Sequence, residues 1–376
     1  MRVIIFLPSI EKGGVERNCI FLSNYLIATG EEVEIVYTRI DEQMRNRFHP
    51  CCKMNQIGKR LDLKLIHPRF LDSWAIFFGF IRFLNKQPSG EMPVVVSFQS
   101  NILAILAARI TAVPVVVRVS NHPSHTWYES SKVRKLTELL KRFIYQYANV
   151  VVTNSVVTTK YYQKLLSVPV ETIYNPINLI ELGKQANEEV DHPWLKEKKA
   201  PVIISVGRLS RQKNFGLLIE AFSKFNLIVE SRLMIIGEGT ERAKLKELIM
   251  DLGLDQKVDL IGYEMNVHRY VARADLFVLS SNYEGLPNAL IEAIAVGTPV
   301  ISTNCLSGPS EILMDGKGGD LVPTGDSFQL FSAIIRNLLN KDYSEKKLNR
   351  AIKSLDRFKE QTVMKDYSRL LERLRT

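Results

Sequence analysis

Two glutamates in the second half of the chain have the types and spacing expected of a binding site. Glu284 directly follows a short apolar run that predicts a buried strand, and Glu292 lies on the next predicted helix, in YEGLPNALIEAIAVGTPVI. Open α/β sheets bind ligands at the carboxyl ends of their strands. Carboxylates placed there can accept hydrogen bonds from the hydroxyl groups of a sugar or a ribose. Alternatively, Glu284 caps the helix and Glu292 is a solvated surface residue.

The turn EGLPN, which comes at the start of that helix, predicts an anion site. Backbone N–H groups at a helix N-terminus have no partner within the helix and favour negative charge. Leu286 and Asn288 can donate such N–H groups, whereas Pro287 has none. A diphosphate could be held there without a metal ion, between the two glutamates.

Two cations follow another predicted strand of the same half, in the loop GRLSRQKNFG. Arg208 and Lys213 at a strand-to-helix junction could neutralise a diphosphate and stabilise it as a leaving group. The alternative is an exposed basic loop. Together with Glu284 and Glu292, these cations favour a nucleoside-diphosphate site.

In the first half of the chain, residues that could bind a ligand follow two of the predicted strands, but their patterns are less specific. Gly13 and Gly14 follow the first predicted strand, where they would permit positive φ and a close approach of the backbone to a ligand, or form a plain tight turn. His122 follows the fourth predicted strand in VRVSNHPSH and could donate to a sugar hydroxyl or a phosphate. A loop histidine without a role is the alternative.

The elements that must position these residues alternate between strand and helix in both halves. Continuous β-branched apolar runs are typical of strands buried on both faces of a parallel sheet. The pattern predicts two consecutive doubly wound α/β domains. The predicted strands are RVIIFL, EVEIVYT, 94–100, 113–120, 149–155, 201–207, 232–239, 258–263, 275–281 and 299–304, and the main predicted helices cover 15–29, 101–111, 132–147, 214–225, 240–252, 266–274, 286–296 and 357–375.

At 376 residues the chain is long for one hydrophobic core. We expect a first domain over 1–182, a polar linker over 183–200, a second domain over 201–356 and a C-terminal helix over 357–376. The composition, 46% hydrophobic and 24% charged, is that of a globular protein. No apolar run reaches the ~20 residues that span a bilayer, and the first residues lack the features of a signal peptide, so we expect a cytoplasmic location.

Several absences from the sequence narrow the chemistry. The four cysteines form no CxxC and no zinc-type cluster, and no Asp-x-Asp occurs, so we expect neither a structural metal nor a metal-bridged diphosphate. No GxxxxGK[ST] is present, and the GxG at Gly237–Gly239 lacks a third glycine. P-loop nucleotidases and dinucleotide dehydrogenases are therefore disfavoured. No cofactor is expected.

Charge is distributed unevenly along the chain. Residues 1–180 carry 22 Lys and Arg against 13 Asp and Glu, a net charge of +9, which leaves +1 for residues 181–376. This asymmetry indicates a polyanionic partner for the first half, either nucleic acid or an anionic membrane. The aromatic stretch 71–84 and the basic amphipathic helix 132–147 favour a membrane surface, although both helices could simply pack on the sheet. The expected membrane contacts are Trp74, Phe77, Arg134, Lys135, Lys141 and Arg142.

The chain resembles the retaining nucleotide-sugar glycosyltransferases of family 4 over nearly its whole length. The motifs that carry the resemblance are, in order along the chain, GGVERN, GRLSRQKN, IIGEG, VDLIGY and YEGLPNALIEAIAVGTPVI. The resemblance is strongest to bacterial enzymes of lipid-linked glycan, O-antigen and capsule synthesis. It implies a GT-B fold, in which two Rossmann-like domains face a central cleft and the C-terminal helix returns to the first domain.

The resemblance also implies a role for each matching residue. The proposed catalytic residues are His122, Arg208, Lys213 and Glu284, with Glu284 on the donor sugar and His122 beside the reacting sugar. Arg208 and Lys213 would bind the diphosphate, and Glu292 the ribose. The remaining implied donor contacts are Gly13, Gly14, Gly262, Tyr263 and the backbone of Gly285, Leu286, Pro287 and Asn288.

The expected reaction moves a hexose or N-acetylhexosamine from a nucleotide sugar, preferably a UDP-sugar, to a hydroxyl of a lipid-linked glycan acceptor at the cytosolic face of a membrane. GDP-mannose is the alternative donor. A sugar-nucleotide epimerase or a phosphorylase would share the fold. A nucleic-acid-binding protein would also explain the basic first half, but no recognisable module of that kind is present, so no nucleic acid is expected as a partner.

Overall fold

The computed structural model describes residues 1–11, 13–58, 68–88, 90, 92–123 and 131–375, with only the helical backbone described for 68–72 and 131–137. The chain forms two compact units. The first comprises Met1–Pro176 and Glu360–Thr376, and the second comprises Ile177–Lys359.

The first unit contains a parallel sheet with helices along both of its faces. Its strands are β1 (Arg2–Phe6), β2 (Ser9–Ile10), β3 (Glu32–Tyr37), β4 (Arg39–Ile40), β5 (Lys53–Gln56), β6 (Val94–Ser97), β7 (Val115–Val119), β8 (Val150–Thr153) and β9 (Val170–Thr172). Its helices before the chain crosses to the second unit are α1 (Gly14–Ala28), α2 (Glu42–Arg45), α3 (Pro68–Asn85), α4 (Asn101–Thr111), α5 (Ser131–Tyr145) and α6 (Val156–Gln163). The seven-stranded sheet has the order β5-β3-β1-β6-β7-β8-β9, and β2 pairs with β4 separately.

The second unit repeats this plan with the strands β10 (Val202–Val206), β11 (Arg232–Ile236), β12 (Val258–Gly262), β13 (Leu276–Leu279), β14 (Val300–Thr303) and β15 (Asp320–Val322). Its helices are α7 (Leu179–Asn187), α8 (Pro193–Lys196), α9 (Phe215–Asn226), α10 (Arg242–Asp251), α11 (His268–Val271), α12 (Asn288–Ala295), α13 (Pro309–Ile312), α14 (Ser327–Leu339) and α15 (Lys341–Lys353). The parallel strands follow the order β12-β11-β10-β13-β14-β15.

Alternation along the strands explains why the apolar runs fold this way. In β1, Val3 and Ile5 enter one buried cluster, while Ile4 and Phe6 enter another. Successive strand residues point to opposite faces, so a continuous apolar run fills a core on each side of the sheet. All ten predicted strands are confirmed, and both units have the predicted doubly wound architecture.

The last helix, α16 (Glu360–Glu372), returns to the first unit as predicted. It follows a 3-10 helix at Leu355–Phe358 and packs Val363, Met364, Tyr367, Leu370 and Leu371 into the core that contains β1. The fully buried guanidinium of Arg118, on β7, donates to the Tyr367 hydroxyl and to Asn175 Oδ1.

The unit boundaries differ from the sequence-based division. The structure divides the chain after Pro176 and after Lys359, whereas the sequence placed the boundaries at 182, 200 and 356. Helix α7 occupies Leu179–Asn187, where the sequence placed the end of the first domain and the start of a linker. Asn178 caps this helix by accepting from the Glu181 N–H at 2.9 Å. The helix gives little apolar periodicity because Leu182 is its one buried residue.

Candidate active site

The site residues of the second unit lie at the switch point of its sheet. Connections run from β10 outward to β11 and β12, and then to the other side of β10 through β13 and β14. Strand order therefore reverses between β10 and β13, where ligands of this fold class bind at the carboxyl ends. The loop 207–214 follows β10, and the loop 280–287 follows β13.

Glu284 is buried at this switch point and held by groups from both loops. Ser281 Oγ donates to Glu284 Oε1 at 2.6 Å, and the Lys213 ammonium lies 2.5 Å from the same oxygen. Gln212 Nε2 donates to the Tyr283 carbonyl at 3.0 Å and reaches Glu284 Oε2 at 3.5 Å. The carboxylate is thus compensated and fixed in orientation, as a buried charge must be.

The two predicted cations differ in their surroundings. Lys213 is largely buried by its ion pair with Glu284, since the two side chains are 17% and 7% exposed. Arg208 is exposed on the same loop. The structure therefore brings Lys213 and Glu284 into direct contact and leaves the Arg208 side chain accessible to a ligand.

Helix α12 begins at Asn288, two residues later than the sequence predicted, with Pro287 as its N-cap residue. The N–H groups of its first turn therefore belong to Asn288, Ala289 and Leu290 rather than to Leu286, and the Leu290 N–H bonds back to the Pro287 carbonyl at 3.1 Å. The Gly285 carbonyl accepts from Ser307 Oγ at 3.0 Å. This bond ties the turn to the loop that follows β14.

Gly308 allows that close approach between the two loops. Its φ is +92°, and a Cβ there would lie 2.5 Å from the Gly285 carbonyl oxygen.

Nearby, burial and the charge of Glu284 raise the pKa of the Cys305 thiol to about 12. Cys305 therefore packs beneath the site as a neutral, inert thiol.

Glu292 lies on the buried side of α12 and faces a histidine that sequence reasoning did not identify. Its Oε2 is 3.3 Å from His268 Nε2, and both residues are buried. His268 begins the short helix α11. No motif marks it, because its partner lies 24 positions further along the chain.

Gly262 and Tyr263 lie at the end of β12. Gly262 has φ +93°, and its carbonyl accepts from the Gly237 N–H at 2.8 Å, which joins the ends of β11 and β12. The Tyr263 ring is 62% exposed, so its face is accessible to a stacking partner.

In the first unit, Gly13 and Gly14 do not adopt the positive φ that the sequence suggested. Gly13 is extended, with φ −163°, and Gly14 begins α1, so neither uses positive φ. The carboxylate of Glu16 folds back over Gly13, where a Cβ would collide with it. Burial raises the pKa of Glu16, whose Oε1 accepts from Gln99 Nε2 at 3.2 Å. A side chain at position 13 would therefore displace the Glu16 carboxylate from this place.

His122 follows β7 at the carboxyl edge of the first sheet, as predicted, and is buried with its ring edge-on to Tyr161 at 5.0 Å between centroids. It belongs to the first unit with Gly13 and Gly14, while the other site residues belong to the second.

The predicted membrane-contact residues lie on α3 and α5. Each helix buries one side, where Phe80 stacks on Phe6 at 4.1 Å and Ile144 enters the core. Several other apolar side chains on or just after these helices are exposed: Trp74, Phe78, Leu139, Leu140, Phe143 and Tyr147. Phe77 is half-buried, Arg142 is exposed, and Lys141 donates to Glu138 at 2.8 Å. The side chains of Arg134 and Lys135 lie outside the described residues.

An apolar cavity of about 870 Å³ lies beside these two helices, and Trp74, Phe77, Leu106, Leu140 and Lys141 are among the residues that line it. In the part of the chain that the structure describes, no helix is both long and apolar enough to cross a bilayer. Within the same residues, no cluster of three His, Cys, Asp or Glu side chains is arranged to hold a metal ion.

Comparison with known proteins identifies the class to which this fold and site belong. Residues 12–181 match the family described as Glycosyltransferase Family 4, and residues 186–357 match Glycosyl transferases group 1. The Anabaena protein HepE, solved with UDP, superimposes with a TM-score of 0.77 at 16% identity, covering 99% of this chain and 100% of that one. The fold is GT-B, and the chain belongs to the family 4 glycosyltransferases.

The similar curated proteins include bacterial glycan glycosyltransferases. One, from Campylobacter jejuni, is N-acetylgalactosamine-N,N'-diacetylbacillosaminyl-diphospho-undecaprenol 4-alpha-N-acetylgalactosaminyltransferase, 36% identical over half of each chain. Another is the amylovoran biosynthesis glycosyltransferase AmsD of Erwinia amylovora, 28% identical over 73% of this chain and 75% of that one. The chain spans about half the length of the first relatives it matches.

Proposed function

We propose that the protein is a retaining glycosyltransferase that moves a hexose or N-acetylhexosamine from a nucleotide sugar to a hydroxyl of a lipid-linked glycan. The contact that carries this proposal is the Lys213–Glu284 pair at the switch point of the second sheet, beside the start of α12. A cation, a fixed carboxylate and a helix N-terminus at one strand edge suit a sugar diphosphate.

Lys213 and Arg208 would stabilise the nucleoside diphosphate as it leaves the sugar. When the bond between the sugar and the diphosphate breaks, negative charge accumulates on the β-phosphate. Lys213, Arg208 and the positive N-terminal end of α12 then bind the transition state more tightly than the ground state. Glu284, fixed by Ser281, accepts hydrogen bonds from the donor sugar.

Retention follows if the acceptor hydroxyl attacks the face from which the diphosphate departs. In that reaction the sugar–phosphate bond breaks, a new glycosidic bond forms, and the departing phosphate takes the hydroxyl proton. Charge is therefore balanced without a separate protein base. We propose that this transfer is independent of metal, with the cations and N–H groups neutralising the diphosphate.

The donor and acceptor classes are inferred from relatives. The Campylobacter relative is named for transfer of N-acetylgalactosamine to a diphospho-undecaprenol-linked sugar, and AmsD is named for amylovoran synthesis. We therefore favour an N-acetylhexosamine or hexose carried by UDP, with GDP-mannose as the second donor, and a polyprenyl-diphosphate-linked acceptor.

The activity is tested by incubating the protein with UDP-, GDP- and ADP-sugars and a polyprenyl-diphosphate-linked oligosaccharide, and following the product by mass spectrometry and its anomeric configuration by NMR. Thermal-shift measurements with UDP, GDP and ADP identify the base. Transfer with retained configuration supports the proposal. Inverted configuration, or conversion of the nucleotide sugar to its epimer without transfer, contradicts it.

We further propose that the first unit docks on the anionic cytosolic face of a membrane. The exposed apolar side chains of α3 and α5 suit the interfacial region of a bilayer. Each nearby basic residue contributes about 1 kcal/mol of attraction to an anionic leaflet. Together these features would bring the enzyme to a lipid-anchored acceptor.

Flotation with liposomes of increasing anionic lipid content tests the docking. Reversal of Lys135, Lys141 and Arg142 to Glu should lower binding on anionic liposomes, whereas the matched reversal of Lys346, Arg350 and Lys353, exposed on α15 of the second unit, should not. Binding that ignores both lipid charge and the α5 reversal would refute docking. Salt-sensitive retention on DNA without any shift by nucleotides would instead favour a nucleic-acid-binding protein.

A further inference from the structure

His268 is a buried histidine whose ring is directed at a proposed ligand-binding carboxylate. Its Nε2 lies 3.3 Å from Glu292 Oε2, with both residues less than a tenth exposed. Building on the proposed function, we propose that His268 is a positioning residue, which holds the Glu292 carboxylate in the orientation that accepts hydrogen bonds from the ribose of the donor nucleotide.

The backbone around His268 is fixed independently of this contact. Asn266 Oδ1 accepts from the His268 N–H at 3.1 Å, and the side-chain amide of Asn266 donates to the Gln185 carbonyl at 2.8 Å. The start of α11 is thereby anchored to α7. A ring mounted on a fixed backbone is a rigid support for a flexible glutamate side chain.

The other ring nitrogen shows that packing alone does not favour histidine here. Among the described residues, His268 Nδ1 is buried and has no hydrogen-bond partner. A buried polar atom without a partner is destabilising, a penalty that an apolar side chain of similar size would avoid. With Nδ1 as the bare nitrogen, Nε2 carries the hydrogen and donates to Glu292.

The location of Glu292 explains why it benefits from such support. It lies on α12 among the buried residues Ile291 and Ala293, in a helix whose surroundings are largely apolar. A carboxylate in such surroundings is aimed only if a donor fixes one of its oxygens. The bond from His268 fixes Oε2, so the carboxylate keeps one orientation toward the ribose.

Binding of UDP, GDP and ADP and of their 2′-deoxy analogues to the full-length protein tests this assignment. His268→Leu should weaken binding of the preferred diphosphate about tenfold, whereas His268→Gln, which keeps an N–H near the Nε2 position, should stay within about threefold of the wild-type protein. Loss of the 2′-hydroxyl should cost His268→Leu less than it costs the wild-type protein, because the carboxylate is no longer aimed. The difference between the two proteins in the effect of the 2′-hydroxyl measures the coupling of that hydroxyl to His268. A general loss of stability would not produce it.

His192→Leu is the matched control. His192 Nε2 lies 3.2 Å from the half-exposed carboxylate of Asp259 in the same unit, so this variant breaks an equivalent pair outside the proposed site. It should leave nucleotide affinity unchanged. Equal effects of the 2′-hydroxyl in wild-type protein and His268→Leu would overturn the positioning role alone. Absence of any nucleoside-diphosphate binding by the wild-type protein would overturn the proposed function as well.

Discussion

Replacing Lys213 with alanine is the most direct test of the switch-point site. The ammonium lies 2.5 Å from Glu284 Oε1 and is 17% exposed, so it acts in a partly desolvated environment, where charge is screened less than in water. Loss of one preorganised group that stabilises a developing anion typically lowers kcat by about 10²–10³, or about 2.7–4 kcal/mol. We expect a fall of that size in Lys213→Ala.

The same substitution removes the cation from a buried carboxylate, but it does not leave Glu284 without partners. Ser281 Oγ still donates at 2.6 Å, and Gln212 lies at 3.5 Å. We therefore expect a lower melting temperature but a folded protein. Circular dichroism and thermal melting establish the folded state, and steady-state transfer kinetics at saturating donor give kcat.

Arg211→Ala provides the control for a charge removed from the same loop. Arg211 is 70% exposed, and its ion pair with Glu241 is long, at 3.9 Å. Its removal should change kcat by less than about twofold, as expected for an exposed pair of small energetic weight. Near-normal kcat in folded Lys213→Ala, or an equal loss in both variants, would refute the role of Lys213 in leaving-group stabilisation.

Three further outcomes are expected. Transfer should persist after dialysis against a chelator, and loss of activity that Mg²⁺ or Mn²⁺ restores would contradict a metal-independent site. Iodoacetamide should modify the exposed Cys51 in the native protein and reach the buried Cys19, Cys52 and Cys305 only after unfolding, as peptide mass spectrometry can show. Burial alone would raise the pKa of Asp320, but bonds from Lys347, Tyr343 and Arg336 lower it overall. The ionised Asp320 carboxylate therefore stabilises the fold fully above the unfolded pKa of 3.8, and this stabilisation is lost as pH falls through the lower folded pKa. Urea unfolding should show that Asp320→Asn is less stable than the wild-type protein at pH 7 and that the difference shrinks below pH 3.8.

Sequence reasoning succeeded for the fold where both faces of a strand are buried. Runs such as VVVS in β6 and LFVL in β13 are buried at every position and therefore apolar throughout. Five short strands were missed: β5, β9 and β15 at the edges of the two large sheets, and the separate pair β2 and β4. β5, with the sequence KMNQ, carries polar residues because only one neighbouring strand covers it. The missed edge strands therefore lack the apolar signal on which the prediction relied, whereas the edge strand β12, VDLIG, retains it and was predicted.

The candidate site was predictable to the extent that it follows from strand order. Lys213 and Glu284 lie 71 positions apart, yet both follow neighbouring parallel strands, so their contact could be anticipated from the position of each strand end. The residues that support this pair and Glu292 could not be predicted from the sequence. Ser281 and His268 carry no motif, and each is identified by the side-chain atom that it places against a glutamate. The placement of the Glu16 carboxylate over Gly13 depends in the same way on a side-chain rotamer.

On the proposed function, the contact between Lys213 and Glu284 also constrains how a donor enters the site. The ammonium already pairs with a carboxylate, so an incoming diphosphate competes with Glu284 for it. Arg208, exposed on the same loop, can meet the diphosphate without breaking a buried pair. Because the Ser281 hydroxyl holds Glu284 independently, the ammonium can shift toward phosphate while the carboxylate keeps its place. Glu284 then remains available to the sugar as Lys213 turns to the leaving group, so one buried pair can serve both halves of the donor.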